Sequence, residues 1–244
     1  MTAKLLEFKS ITKTFGGICA LLNLSFHVDE GESLGLIGPN GAGKTTSFNL
    51  IMRELKQDKG EIYFKGHEIS NFPTHERVKM GISRTYQIPR PFNEMTVTKN
   101  IRIGLMPDEI LRVMNMNSDS KKEIDIAKNI GFSEKQRLVF PNELPMGDLR
   151  RLELARTIAT NPKLLLLDEV FAGLTAGEIT ELSNLLKKKR VEDGLTYIIV
   201  SHDLKSLAPL VDRVVVVNFG EVIAEGAFEE VIADKHVKKA YLGT

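Results

Sequence analysis

Three observations predict an α/β fold built on a parallel sheet covered on both faces. Short apolar runs at 164–167, 197–200 and 214–217 alternate with helical patterns through the C-terminal half. A further run at 34–37 leads straight into a glycine-rich turn. The 244 residues fall between one and two ordinary domains, so the chain reads as one large domain or a domain carrying a lobe.

The elements follow in order. Leu6, Phe8 and Ser10 alternate with Glu7 and Lys9, the pattern of a half-buried strand. The run at 34–37 is a short buried strand, and 46–55 reads as the helix after the glycines. Residues 61–64 give another strand, with Lys65-Gly66-His67 as its turn. Residues 74–86 are mixed and receive no element. From about 92 to 143 the pattern turns weakly helical, with Pro107, a polar patch at 115–122 and a helix over 121–131. This stretch reads as a separate helical lobe. Beyond it, Leu149, Leu152, Ala155, Ile158 and Ala159 fall at helical spacing. A helix over 178–190 turns Ile179, Leu182, Leu185 and Leu186 inward. No internal repeat or low-complexity tract interrupts the chain.

Composition excludes several classes. Hydrophobic residues make up 42% and charged residues 27%, which is ordinary for a globular protein and not for a disordered one. Lys and Arg total 33 against 32 Asp and Glu, a net charge of +1, so there is no basic excess to suggest a general nucleic-acid binder. The single cysteine, Cys19, rules out an intrachain disulfide and a zinc site of several thiolates. The apolar runs are far shorter than the roughly 20 residues that a membrane span needs. The N-terminal residues lack the apolar core of a signal peptide. A cytosolic chain is expected, with any membrane supplied by another chain.

Chemistry concentrates in a few places. Gly38-Pro39-Asn40-Gly41-Ala42-Gly43-Lys44-Thr45 matches the phosphate-loop pattern, with a strand before it and a helix, opening at Thr46, after it. Glycines let the backbone wrap an oxyanion, so that N–H groups and the helix N-terminus face phosphates. In such a loop the lysine, Lys44, contacts the β- and γ-phosphates and the hydroxyl of Thr45 holds Mg²⁺. The strand at 164–167 delivers Asp168 and Glu169 at its end. Asp168 fits a Mg²⁺ role through water, and Glu169 fits the general base that polarises an attacking water. Read alone, the pair also fits a strand ending in two solvated acids. His202, after the strand at 197–200, sits where a ligand crevice forms in a nucleotide-binding sheet. By itself it fits a structural histidine as well. Gln87 could reach Mg²⁺ and the water with its carbonyl, or could be a solvated loop residue.

Taken together, these pieces resemble the nucleotide-binding subunits of ABC transporters over nearly all of 1–244. The matching elements come in family order: the phosphate loop, Gln87, the stretch 144–148, Asp168-Glu169, Ala172-Gly173-Leu174-Thr175 and His202. The resemblance implies a P-loop NTPase core of ABC ATPase type, an N-terminal antiparallel β lobe and a helical lobe at about 88–145. It implies a single ATPase domain that binds ATP and Mg²⁺. Catalytic roles then fall to Glu169, His202, Gln87 and Lys44, with Thr45, Gln87 and Asp168 holding the metal. Phe15, about thirty positions before Lys44, stands where the family stacks an aromatic ring on adenine.

The departure lies at 144–148. The family pattern is Leu-Ser-Gly-Gly-Gln, which caps the γ-phosphate bound on the opposite subunit, whereas this chain has Leu144-Pro145-Met146-Gly147-Asp148. Pro145 has neither a hydroxyl nor an N–H, which leaves the backbone N–H groups of Met146, Gly147 and Asp148 as donors. Proline suits a first helical turn, so the helix should form. Thr175 likewise stands where many members carry Asp.

Arg84-Thr85-Tyr86-Gln87 and the ending Ala240-Tyr241-Leu242-Gly243 are similar to the ATPase subunits of branched-chain amino-acid importers. The ending also resembles a lipopolysaccharide-export ATPase. The implied partners are transmembrane permease subunits, a second ATPase subunit, identical or different, and indirectly a solute-binding protein. The implied place is the inner face of the cell membrane. The rival readings are a lipid or lipopolysaccharide exporter ATPase and a weakly hydrolysing regulatory subunit. The separation of 124 residues between Lys44 and Asp168 leaves no room for the coiled-coil arms of DNA-repair ATPases. Lys187-Lys188-Lys189-Arg190 reads as a solvated helix end, since no aromatic residue interleaves it to suit nucleic acid.

Overall fold

The computed structural model describes residues 3–106 and 120–242. Strands β1 (Lys4–Phe15), β2 (Ile18–Asp29), β4 (Lys59–Phe64) and β5 (His67–Glu68) form an antiparallel sheet in the order β2-β1-β4-β5. The first strand is longer than the alternation at 6–10 predicts. Ser10 and Asn23 take positive φ at irregularities in the β1–β2 pairing, which lets the two strands continue past the break in pattern.

A second sheet holds β3 (Ser33–Ile37), β6 (Ile82–Arg84), β7 (Leu164–Asp168), β8 (Thr196–Val200), β9 (Arg213–Asn218) and β10 (Glu221–Gly226). Their order is β10-β9-β3-β8-β7-β6, parallel throughout except for β10 at one edge. Successive residues of these buried strands go to opposite faces. Leu165, Leu167, Ile199 and Val216 join one core with the helices. Leu164, Leu166, Ile198 and Val217 join the other, under the antiparallel sheet. Burial on both faces explains why the runs are continuously apolar instead of alternating.

The helices are α1 (Lys44–Ile51), α2 (Thr74–Lys79), α3 (Val97–Leu105), α4 (Ser120–Asn129), α5 (Met146–Ala159), α6 (Ala176–Asp193), α7 (Leu204–Leu207), α8 (Phe228–Ala233) and α9 (Lys235–Leu242). Helix α1 starts two residues before the expected 46 and stops before the expected 55. Gly43 caps its start at φ 110°, and Arg53 at φ 61° turns the chain away at its end. The unassigned stretch 74–86 resolves into α2 and β6. The lobe gathers α3, α4 and the start of α5. Pro107 and residues 115–119 of the polar patch lie outside the described residues, as does Gly243 of the ending. Among the described residues no helix is long and apolar enough to cross a membrane.

Candidate functional site

The site assembles where β3, β7 and β8 end. Chain reversal after β3 requires glycine at two points. At Gly38, with φ 153°, an added Cβ would lie 2.0 Å from the carbonyl oxygen of Val217. At Gly43 it would lie 2.8 Å from the carbonyl oxygen of Ala20. The loop therefore nests against β9 and β2. Lys44 is buried inside it and donates from Nζ to the carbonyls of Gly38, at 2.7 Å, and Pro39, at 2.9 Å. Burial lowers its pKa, while the charges of Glu169 and Asp168 oppose that shift. The cation thus sits in the cradle and satisfies itself on the loop's own carbonyls.

Strand β7 carries Asp168 and Glu169 to the same edge. Glu169 takes φ 49°, a left-handed conformation that is costly for a residue with a Cβ, and its N–H bonds the carbonyl of Val200 at 3.0 Å. The Glu169 carboxylate lies 3.2 Å from Nε2 of His202 and accepts from the His202 backbone N–H at 3.3 Å. Its Oε1 is nonetheless buried without an aligned hydrogen bond. Burial raises the Glu169 pKa above the usual glutamate value, and the His202 charge pulls it back down.

These groups share one cavity of about 190 Å³, lined by Asn40, Gly41, Ala42, Lys44, Thr45, Thr46, Gln87, Glu169 and His202. A neighbouring cavity of about 310 Å³ is lined by Thr45, Arg84, Gln87 and Asp168, among others. Hydroxyl, carboxylate and amide oxygens are the donors that Mg²⁺ prefers. Among the described residues no cluster of three or more His, Cys, Asp or Glu could hold an ion by itself.

Phe15 ends β1, 43% exposed, with Nζ of Lys13 5.4 Å from its ring centre; it does not line either cavity. Met146, Gly147 and Asp148 form the first turn of α5, where backbone N–H groups have no intrahelical acceptor. They too stand outside the cavity that holds Lys44. The Asp148 side chain turns into the lobe, accepting from Nε2 of Gln136 at 2.8 Å and pairing with Arg151 at 3.0 Å.

The family model described as ABC transporter matches residues 21–172. The chain belongs to the ABC transporter ATP-binding family. A second family model, described as branched-chain amino acid ATP-binding cassette transporter, matches 221–244 of the cassette. The chain is 36% identical to the high-affinity branched-chain amino acid transport ATP-binding protein LivG of Salmonella typhimurium, over 100% of this chain and 99% of that protein. It is 32% identical to a lipopolysaccharide export system ATP-binding protein of Haemophilus influenzae, over 98% and 97% of the two chains. Among solved structures, an ABC transporter cassette in its ADP conformation aligns at a TM-score of 0.88 with 32% identity, covering 100% of both chains. The dimeric post-hydrolysis state of a cassette bound to ADP and Pi aligns at 0.82 with 27% identity, covering 92% and 99%.

The site of this cassette also contains residues to which motif reading assigned no role in the chemistry, Arg84, Thr85 and Tyr241 having marked only a subfamily. Arg84 ends β6 and Thr85 follows it; both bond Asp168, and Asn49 and Glu54 accept from Arg84, one on α1 and one in the turn after it. Tyr241 of α9 approaches the Gly38 backbone, its pKa pushed up to about 12, chiefly by burial. The available signal for Arg84 was a polar triplet, Ser83-Arg84-Thr85, in line with the strand that carries Asp168.

Proposed function

We propose that the chain binds and hydrolyses MgATP to power an ABC importer for branched-chain or related amino acids. The observation that carries the chemistry is the single cavity joining Lys44, Thr45, Gln87, Glu169 and His202. Backbone N–H groups between Gly38 and Thr46, Pro39 excepted, would cradle the phosphates, helped by the N-terminus of α1. Lys44 would exchange the Gly38 and Pro39 carbonyls for β- and γ-phosphate oxygens. Thr45, Asp168 and Gln87 would hold Mg²⁺, which would offset the charge of the phosphates.

Glu169 would orient the attacking water and accept its proton. Its raised pKa favours that role, because a base of higher pKa takes a proton more readily. His202 would hold the Glu169 carboxylate and reach the γ-phosphate. Phe15 would stack on the adenine.

Two such subunits would meet head to tail. The N–H groups of Met146, Gly147 and Asp148 would cap the γ-phosphate bound on the opposite subunit, consistent with their distance from this chain's own cavity. Pro145 removes one donor and one hydroxyl from that cap, which favours pairing with a second, different ATPase subunit. Gln87 and the helical lobe would face permease subunits at the inner membrane surface, and a solute-binding protein would deliver the cargo. The amino-acid reading rests on the full-length likeness to LivG and on the C-terminal match.

The test is Glu169→Gln, assayed for single-turnover hydrolysis with the membrane partners present. The variant should trap ATP and stall. A rate near that of the wild type would remove Glu169 as the base.

A further inference from the structure

Arg84 contributes a buried cation to the metal side of the site, although the stretch 84–87 marks it only as an importer-like residue and assigns it no role. Its side chain and that of Asp168 are each 4% exposed, and Nη2 donates to Oδ2 of Asp168 at 2.6 Å. Nη1 donates to Oδ1 of Asn49 at 2.6 Å and to Glu54 at 3.2 Å. The guanidinium carbon lies 5.0 Å from the ring centre of Tyr86 and 5.6 Å from that of Phe48. The fork is therefore fixed at both ends and packed against aromatic rings.

The two ends of this fork reach different parts of the cation site. Asp168 lines the 310 Å³ cavity together with Thr45. Asn49 stands four residues after Thr45 on α1, so both lie on one helical face. By holding Asn49 with one nitrogen and Asp168 with the other, Arg84 ties the helix that bears the Thr45 hydroxyl to the strand that bears the carboxylate. Mg²⁺ demands near-ideal octahedral geometry, so the separation of its donors decides how well it is held. One carboxylate oxygen is engaged by Arg84, while the residue still faces the cavity.

We propose that Arg84 is a positioning residue for the divalent cation, setting the distance between Asp168 and Thr45 by bridging β7 to α1. This role rests on the MgATP reading above. A lysine keeps the charge but cannot bridge two acceptors in a fixed plane, so Arg84→Lys separates geometry from charge.

The test uses the full-length chain and a fluorescent ATP analogue. Affinity is measured in EDTA and again in excess Mg²⁺, and the ratio of the two reports what the protein adds through the cation. Loss of an outer partner of a metal ligand weakens metal binding by about 10- to 100-fold, so Arg84→Lys should cut the ratio about tenfold while the affinity in EDTA stays near that of the wild type. Asn49→Ala, which removes only the far anchor, should shift the ratio the same way by less. It decides the matter if the lysine variant fails to fold. A ratio unchanged in the folded variants, or equal losses with and without Mg²⁺, would overturn the positioning role. A wild-type chain that binds the analogue in neither condition would instead overturn the MgATP reading.

Discussion

Gly38→Ala probes the strand-to-loop turn on which the site depends. The new Cβ would sit 2.0 Å from the carbonyl oxygen of Val217, 3.1 Å from its carbon and 3.2 Å from Cβ of Ala42. Carbon-to-oxygen contacts settle at about 3.3 Å or more, so the backbones must part by more than an ångström. Val217 is not free to move, because β9 pairs with β3 on one side and β10 on the other. The loop must therefore yield. Overpacking of this kind costs about 1–3 kcal/mol, and the φ of 153° adds strain of about the same size. For a chain of this length each kcal/mol lowers Tm by about 2–4 °C, so a drop of roughly 5–20 °C is expected. Nucleotide affinity should fall as well, because the displaced loop is the one whose N–H groups would cradle the phosphates. Gly41→Ala is the control for stability alone, because Gly41 itself lines the cavity: nothing lies within 4 Å of its new Cβ, and only the strain of φ 79° remains. Calorimetric melting and ATP-analogue titration of both variants decide the matter. If Gly38→Ala melts and binds like the wild type, the reasoning from close backbone approach is wrong.

Other perturbations test separate parts of the structure. Arg77 is fully buried and donates to the carbonyls of Leu50, Ile51, Ile69 and Phe72; Arg77→Met strands those acceptors and should cost about 3–5 kcal/mol, read as a lowered urea midpoint. Asp148→Ala breaks a buried pair with Arg151 and a bond from Gln136, so stability should fall by about 2–4 kcal/mol. ATP binding to the isolated chain should be unchanged in that variant, because Asp148 is not in the chain's own cavity. For Glu169 the sign follows from its raised pKa: the base must be ionised, so activity is lost as pH falls through a value above that of an ordinary glutamate. His202→Ala removes the charge that pulls this pKa down, so the acid limb of kcat/KM should move to higher pH; a limb that stays or falls contradicts the pairing.

The fold was most legible where burial is two-sided. The continuous runs at β3, β7, β8 and β9 could only be central strands, and each proved fully or almost fully buried. β6 escaped because only Ile82 of its three buried residues is apolar, Ser83 and Arg84 being buried polar groups. The Ser83 hydroxyl is satisfied by Thr160 and the two terminal nitrogens of Arg84 by Asn49 and Asp168, partners up to 84 residues away. No local pattern encodes such a strand, because the compensation lies in tertiary contacts. The early end of α1 was hidden for a similar reason. Arg53 adopts positive φ, and the N–H groups of Glu54 and Leu55 fold back onto the carbonyl of Asn49.

The same distinction separates the two halves of the candidate site. Groups proposed to meet the nucleotide are set by backbone geometry and sequence spacing, so glycines, a lysine and strand-end acids announce themselves. Groups that hold those residues in place are set by packing, and Arg84 illustrates the case. In sequence it is one cation among 33. In the structure it is enclosed by Phe48 and Tyr86 and joins α1 to β7. A buried charge is tolerated only with a fixed partner, and here that partner is a residue in line to hold the cation. The electrostatics that stabilise the fold are thus the ones proposed to aim Asp168. A change at Arg84 should therefore alter folding and cation response together but by different amounts, with the EDTA arm of the binding assay separating the two.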